Sequence, residues 1–426
     1  MNSRPTEKEC FVYITLPGQT EFVTAGKFVL ATDRRGNPSG KFVYGRSYLE
    51  SDNPVPIDPL ELKLANKTYE TNILKGVFGA LRDSSPDYWG RRVIEKRSGL
   101  TELGEIDYLL LSPDDRAGAL GFGRNVEPPA PRREFNQTIE LQRLQELADA
   151  IIADEDIPDE PDAEQAQDLM FGGTAMGGAR PKAVVEDDNA LWIAKFNRTD
   201  DKWNDARVEH AMMMLADDCG IHVAESKVVT VGDRDVLMVK RFDREHTEAG
   251  YRRGRMLSAM TLLRADDSPQ RRENWSYVLL VEELRRISSQ PKTDASELFR
   301  RMVFNALISN VDDHPRNHAV VIMGTNWKLS PAYDLTPFTP ISANHRDLAL
   351  ECGDMGRFAN AENLLTQCER FYLAPDDAIS IIDKMEAIVN DNWYAVARRE
   401  QVTAKDCDKI ATAFNYPGFR RVDGTI

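Results

Sequence analysis

Between residues 10 and 50 apolar positions alternate with polar ones and break at Gly and Asn, as in Phe11-Val12-Tyr13-Ile14-Thr15 and Lys27-Phe28-Val29-Leu30, with a turn at Gly36-Asn37-Pro38. A period of two suits a strand with one buried face, so a small β-rich unit is expected here. From Asn72 to Lys96 the period lengthens. Leu74, Val77, Phe78 and Leu81 have helical spacing, Asp83-Ser84-Ser85-Pro86 stops the run, and a second helix opens at Asp87-Tyr88-Trp89. The first 125 residues therefore read as mixed α+β. Pro128, Pro129 and Pro131 separate them from an amphipathic helix carrying Ile139, Leu141, Leu144, Leu147, Ala148 and Ile151. An acidic loop from Asp154 to Glu164 comes next. Strands then dominate from about 170 to 242, interrupted by one helix near 205–219, and beyond about 255 the pattern is almost wholly helical apart from one hairpin. No internal repeat is evident.

Composition changes this picture only at its margins. A chain of 426 residues is too long for one ordinary core, and 42% hydrophobic with 29% charged residues describes a globular protein. Residues 1–10 contain no apolar signal region, and no run of about 18 uninterrupted apolar residues occurs, so secretion and membrane spanning are both disfavoured and a cytoplasmic protein is expected. The cysteines, Cys10, Cys219, Cys352, Cys368 and Cys407, are odd in number and lack any CxxC pair, which fits reduced structural thiols. A net charge of −15 opposes free-standing, sequence-independent binding to nucleic acid. Short basic runs such as Arg252-Arg253-Gly254-Arg255 read as solvated surface.

The strongest chemical signal is Asn310-Val311-Asp312-Asp313-His314-Pro315-Arg316-Asn317, placed after a helix whose start is expected at Asp294 and whose apolar face is Leu298, Met302, Phe304, Leu307 and Ile308. Asp312 and Asn317 have the D-x-x-x-x-N spacing of a kinase catalytic loop, in which the Asp orients or accepts a hydroxyl proton and the Asn ligates Mg²⁺. Loops that merely turn or cap a helix share that spacing. The residues after Asn317 are more telling: an apolar segment from Ala319 to Met323, a turn at Gly324-Thr325-Asn326, and a return ending in Pro331-Ala332-Tyr333-Asp334. A hairpin after the loop that ends in a carboxylate is where a kinase presents its second metal ligand, and one carboxylate plus one amide is a sufficient protein share for Mg²⁺.

Other parts of a nucleotide site can be placed upstream. Gly172 to Lys182 is a glycine-rich segment ahead of the strand Ala183-Val184-Val185, without the Walker pattern. Lys195 ends the apolar strand Leu191-Trp192-Ile193-Ala194, and Glu209 follows on the next helix, an order that lets a glutamate hold a phosphate-gripping lysine. The strand Val236-Leu237-Met238-Val239 runs into Lys240-Arg241-Phe242, a natural hinge. Gly118-Ala119-Leu120-Gly121-Phe122-Gly123 lacks a strand–helix context, and His314 with His318 lacks any H-E-x-x-H pattern, so neither is read as a cofactor site.

Taken together, Pro86 to Arg92, Asp114 to Leu120, Gly177 to Lys182, Lys240 to Arg244, Asp312 to Asn317 and Pro331 to Asp334 resemble the motifs of the HipA family of bacterial toxin kinases along nearly the whole chain. The resemblance implies an α+β, HipA-like protein-kinase fold: an N-terminal β-rich subdomain (1–125), a β-rich small lobe (126–243) and an all-α large lobe (244–426). It implies ATP and Mg²⁺ as cofactors and serine/threonine phosphorylation of proteins, with a translation-related target of the aminoacyl-tRNA synthetase class such as glutamyl-tRNA synthetase. Asp312 would be the catalytic base and Asn317 and Asp334 the Mg²⁺ ligands. Gly177, Gly178, Ala179, Arg180 and Lys182 would form the phosphate loop, Lys195 with Glu209 the phosphate grip, and Lys240, Arg241 and Phe242 the adenine hinge, with His314 and Tyr333 also counted as nucleotide-binding. The implied partner is a HipB-like helix-turn-helix antitoxin, through which alone the protein would meet DNA. This chain carries Ala175 where many relatives have an autophosphorylated serine, leaving Thr174 as the substitute, and Lys240 where a hinge glutamate is common. Three rivals stay open: a non-catalytic co-repressor subunit, a small-molecule kinase, and a hydrolytic metalloenzyme using Asp312, Asp313 and His314.

Overall fold

The alternation at the start of the chain is realised as three long antiparallel strands, β1 (Thr6–Thr15), β2 (Phe22–Thr32) and β3 (Pro38–Tyr44), whose register stacks Cys10 opposite Phe28 and Phe28 opposite Phe42. The computed structural model in which they are seen describes residues 6–100, 102–114, 116–154, 180–268, 270–339, 342–414 and 416–420. With β4 (Thr68–Thr71) and β5 (Leu120–Gly123) the sheet order is β4-β3-β2-β1-β5. Phe28 and Phe42 are wholly buried and centre the core of this sheet. Val12 faces Gly26 while Tyr13 faces Thr24, so Ala25 is the extra residue of a bulge.

Two compact units divide the chain: one of Met1–Phe196, Lys240–Leu262 and Val321–Asn326, the other of Asn197–Val239, Leu263–Val320 and Trp327–Ile426. In the first, the helix expected from Asn72 is not continuous. Leu74–Gly76 is a short 3₁₀ turn with Lys75 at φ 57° and Gly76 at φ 77°, and the helix itself is Gly79–Asp83. The cause is a close backbone approach, since a Cβ on Gly40 of β3 would lie 1.8 Å from the Gly76 carbonyl oxygen. The next helix, α1 (Tyr88–Ser98), starts where its sequence says. The Asp87 carboxylate accepts from the Gly90 N–H at 2.9 Å, and Gly99 closes the helix in the left-handed region.

The amphipathic helix α2 (Leu141–Ala153) begins two residues later than its apolar spacing suggested. Ile139 is 91% exposed, because the Glu140 carboxylate accepts from the Gln137 N–H at 2.7 Å and the chain turns there. A second sheet places the short β6 (Asn136–Gln137) parallel to β7 (Lys182–Asp187), which pairs antiparallel with β8 (Ala190–Phe196). Asp188 and Asn189, at φ 48° and 57°, make the two-residue turn between them.

The second unit contains α3 (Asp205–Asp218), the hairpin β9 (Ser226–Val231) and β10 (Arg234–Lys240) as far as Val239, and the helices α4 (Tyr277–Ile287), α5 (Pro291–Leu307), α6 (Pro375–Arg399) and α7 (Ala404–Phe414). Helix α5 starts at Pro291, not Asp294. The Asp294 carboxylate is buried and accepts instead from the Ser288 hydroxyl at 2.6 Å and the Leu329 N–H at 2.8 Å, fastening the following chain to the helix. Leu298, Phe299, Met302, Val303 and Phe304 make α5 the buried spine of this unit.

The stretch from 244, all-α by the resemblance, opens with strands, and the part beyond about 255 is less helical than its pattern implied. Arg244–Thr247 and Gly250–Arg253 form a hairpin, Arg255–Ser258 is a strand, and residues 342–360 hold no helix. Side chains do there what helix hydrogen bonds do elsewhere. Arg346 donates to the carbonyls of Thr412 and Ala413 at 2.8 and 2.9 Å, and Asn363 to those of Phe358 and Gly356 at 2.9 and 3.0 Å. All five cysteines are buried free thiols. Among the described residues no helix is long and apolar enough to cross a membrane.

Candidate active site

Helix α5 delivers the polar loop. After Leu307 the chain leaves the helix through Ser309 at φ 57°, and the Asn310 N–H donates to the Asn305 carbonyl at 2.8 Å. The loop then doubles back on itself, with His314 N–H donating to the Asp312 carbonyl and Asn317 N–H to the His314 carbonyl, both at 2.7 Å. Pro315–Asn317 is a 3₁₀ turn, leading into the strand Ala319–Ile322.

Beneath the loop lies a polar network between residues far apart in the chain. Asp313, almost fully buried, accepts from the Tyr277 hydroxyl and pairs with His318 Nε2 at 2.7 Å. Asn305 Nδ2 donates to the Tyr277 oxygen at 3.2 Å, and Asn310 Nδ2 donates to Asn305 Oδ1 at 3.0 Å and to the Asp334 carbonyl at 3.5 Å. Burial and the Asp313 charge push the Tyr277 hydroxyl well above its ordinary pKa, so it remains a proton donor. One chain of hydrogen bonds thus joins the start of α4, the end of α5, the loop and the backbone of Asp334. Asp334 itself is at φ 61°, an uncommon conformation outside glycine that recurs at functional sites.

Asp312 is left out of that network. Burial raises its carboxyl pKa above the usual carboxylate value, the nearby charges of Asp334 and Asp313 raise it further, and Arg272 partly offsets them. A carboxylate so placed gains from receiving a proton. His314 is the reverse case. Burial, with Arg316 beside it, lowers its pKa to about 3, so the ring is neutral; Nδ1 accepts from the Arg316 N–H at 3.2 Å, and the ring meets Trp275 edge-on at 4.3 Å. Arg316 is pinned by a two-point contact to Asp267 at 3.1 and 2.9 Å. The buried Tyr333 donates its hydroxyl to the Arg316 carbonyl at 2.8 Å.

Of the residues singled out from the sequence, Asp312, His314, Asn317, Tyr333 and Asp334 belong to this part of the second unit, and Glu209, buried on α3, belongs to the same unit. Arg180, Lys182, Lys195, Lys240, Arg241 and Phe242 belong to the first unit. Thr174, Gly177, Gly178 and Ala179 lie outside the described residues. Lys195 is buried at the end of β8, directly across from Lys182. Lys182 forms a buried ion pair with Asp87 at 2.7 Å, and the Arg241 guanidinium bonds Asp243 at 3.0 Å and the Arg116 carbonyl at 2.7 Å. Both side chains thus have structural work in the first unit. The Arg241 N–H also donates to the Leu191 carbonyl at 2.8 Å, and Lys240 lies over the Trp192 ring at 5.8 Å.

The Asp312 loop and the return after it carry hard oxygen donors, the amide of Asn317 and the carboxylate of Asp334, and the Asp312 carboxyl is raised by burial and then by the negative charge of Asp334 and Asp313. Such a donor set and such an excess of charge suit Mg²⁺. Among the described residues no group of three or more His, Cys, Asp or Glu side chains could hold a metal without other ligands.

A buried helix carrying a D-x-x-x-x-N loop, followed by a return that ends in a second carboxylate, places the molecule with the kinase-like α+β proteins. Residues 23–123 match the model of the HipA N-terminal domain and residues 174–393 that of the HipA-like C-terminal domain, the latter over more than half of the chain. The chain belongs to the HipA family. The Sinorhizobium fredii protein named "Putative kinase Y4mE" is 24% identical over 330 residues, covering 71% of this chain and 73% of that one. A chain from the Shewanella oneidensis MR-1 toxin–antitoxin complex of HipA, HipB and operator DNA shares the fold with a TM-score of 0.67 at 17% identity, covering 95% of each. A Helicobacter pylori proinflammatory kinase, CtkA, aligns with a TM-score of only 0.37 at 15% identity, over 56% of this chain and 91% of its own, too distant a likeness to support an argument.

Proposed function

We propose that this protein is an ATP- and Mg²⁺-dependent serine/threonine-protein kinase, with Asp312 as the base that meets the acceptor hydroxyl. The observation that carries the reading is the contrast between two adjacent carboxylates. Asp313 is consumed by Tyr277 and His318, whereas Asp312 stands outside that network with its proton affinity raised. Phosphoryl transfer asks a protein for positioning and charge neutralisation, so a scaffolded loop with one basic carboxylate fits it. The acceptor O–H proton passes to the Asp312 carboxylate while the oxygen bonds to the γ-phosphorus. The bond from that phosphorus to the β,γ-bridging oxygen breaks, and ADP leaves with the electron pair. Asn317 and Asp334 would hold Mg²⁺, which supplies neutralisation of phosphate-oxygen charge when bound. Neutral His314 and Tyr333 shape the loop from behind. The assignment of Gly177 to Lys182, Lys195, Glu209 and Lys240 to Phe242 to ATP rests on their motif likeness.

Its biological setting, in this proposal, is that of the toxin of a two-component module with a HipB-like helix-turn-helix antitoxin, DNA being reached only through that partner. Support comes from the Shewanella complex, which contains HipA, HipB and operator DNA together. A translation-related protein of the aminoacyl-tRNA synthetase class is the proposed target. Incubation of the pure protein with Mg²⁺, γ-labelled ATP and cell lysate, followed by mass spectrometry, tests the activity. Phosphoserine or phosphothreonine on a lysate protein or on Thr174 is expected; ATP binding without any label would return the co-repressor reading.

A further inference from the structure

Ahead of α4, residues 263–268 and 270–276 are fastened to the Asp312 loop at two points. Asp267 grips the Arg316 guanidinium through both oxygens, and the Trp275 ring lies against His314. Trp275 is itself fixed, its indole N–H donating to the Asp266 carbonyl at 3.0 Å and its backbone N–H to the Arg272 carbonyl at 2.9 Å. The Arg272 guanidinium rests over the Trp275 ring, 4.7 Å from its centroid. Its Nε is buried and, among the described residues, has no hydrogen-bond partner. Neighbouring guanidiniums differ: Arg316 has Asp267, and Arg271 has Asp266 at 3.7 Å.

Through Trp275, which packs against the His314 ring, Arg272 is held beside the Asp312 loop, and its charge bears on both Asp312 and His314. An arginine seated over an indole is restricted in its motion, and the planar fork of its guanidinium matches planar or tetrahedral oxyanions. Buried donors in native structures are nearly always satisfied, so an unpaired one beside the Asp312 loop calls for an explanation, and an arriving oxyanion supplies one.

We propose that Arg272 is the oxyanion-binding residue of the Asp312 site, receiving on its guanidinium the negative oxygens that arrive there. Those oxygens belong either to the transferring phosphoryl group or to an acidic side chain of the acceptor protein; this choice rests on the kinase reading, whereas the oxyanion site does not. Positive charge aimed at developing phosphoryl charge is a large share of such catalysis, and the same guanidinium would equally select acidic acceptors.

Because Trp275 lies under Arg272, tryptophan fluorescence of the full chain titrated with inorganic phosphate reads the site without requiring turnover. A saturable change is expected in wild type, weakened at least about tenfold in Arg272→Met and partly kept in Arg272→Lys. Trp275→Phe identifies the reporting residue, and circular dichroism of each variant confirms its fold. No saturable change in wild type, or an identical one in folded Arg272→Met, overturns the proposal. Turnover of MgATP with dephosphorylated casein, an acidic acceptor, then separates the sources. A lower kcat in Arg272→Met identifies the phosphoryl group, and a higher KM for casein at unchanged kcat identifies the acceptor's carboxylates. Phosphate binding through Arg272 without any transfer by wild type would instead refute the kinase reading and leave the oxyanion site standing.

Discussion

Asp312 and Asp313 are chemically identical neighbours with opposite fates, and the difference is set by partners far off in the sequence. Asp313 meets Tyr277 and His318, whereas Asp312 faces burial and two like charges. Its raised pKa has a defined consequence for stability. Relative to the unfolded chain, the contribution of Asp312 is fully present below its unfolded pKa and lost as pH rises through the higher folded value. In chelator-containing buffer, Asp312→Asn is therefore expected to melt about 1–3 °C higher than wild type at pH 7, with the gap closing towards pH 4. Thermal melts across that pH range check it, and a pH-independent gap would mean that the carboxylate charge is not its source. The candidates that the sequence marks are those set in local motifs: Asp312 and Asn317 by their spacing, and Asp334 by the return that it ends. Arg272, Tyr277 and Asn305 were not legible, because a guanidinium laid on an indole and a buried phenol have no local signature.

At the level of elements, four of the motifs that marked the family are joined in pairs within the first unit. Asp87, from the motif that opens α1, caps that helix and pairs with Lys182 at the start of β7. Asp243 accepts from Arg241, Arg244 and the Gly118 N–H, and Arg244 returns a bond to the Gly118 carbonyl at 2.9 Å. Burial alone would raise the Asp243 carboxyl, yet the two guanidiniums hold it well below the carboxylate range. Breaking one side of a buried pair strands a charge, while removing both sides need not. Asp87→Asn or Lys182→Met alone should each cost about 3–5 kcal/mol, and the double variant clearly less than their sum, as measured by urea denaturation. Strict additivity would deny the coupling. Element type was readable wherever the period was long and regular, as in β1 to β3 and α5. It failed where backbone or side chains intervened: at Lys75, where Gly40 and Gly76 meet, at Ile139, turned out by Glu140, and at 342–360, where Arg346 and Asn363 replace helix bonds.

For the whole molecule, family membership and a kinase-like loop together give the central claim, transfer of the γ-phosphoryl group of ATP with Asp312 as base. The net charge of −15 leaves direct DNA affinity without its usual electrostatic source, consistent with a partner that supplies it. Single-turnover phosphoryl transfer by wild type and Asp312→Ala, with ATP affinity measured separately, tests that claim most directly. A fall in the transfer rate of about 10²–10⁴-fold, with ATP affinity changed less than about twofold, is the expected result. Near-normal transfer by the alanine variant would contradict it and remove Asp312 from the mechanism.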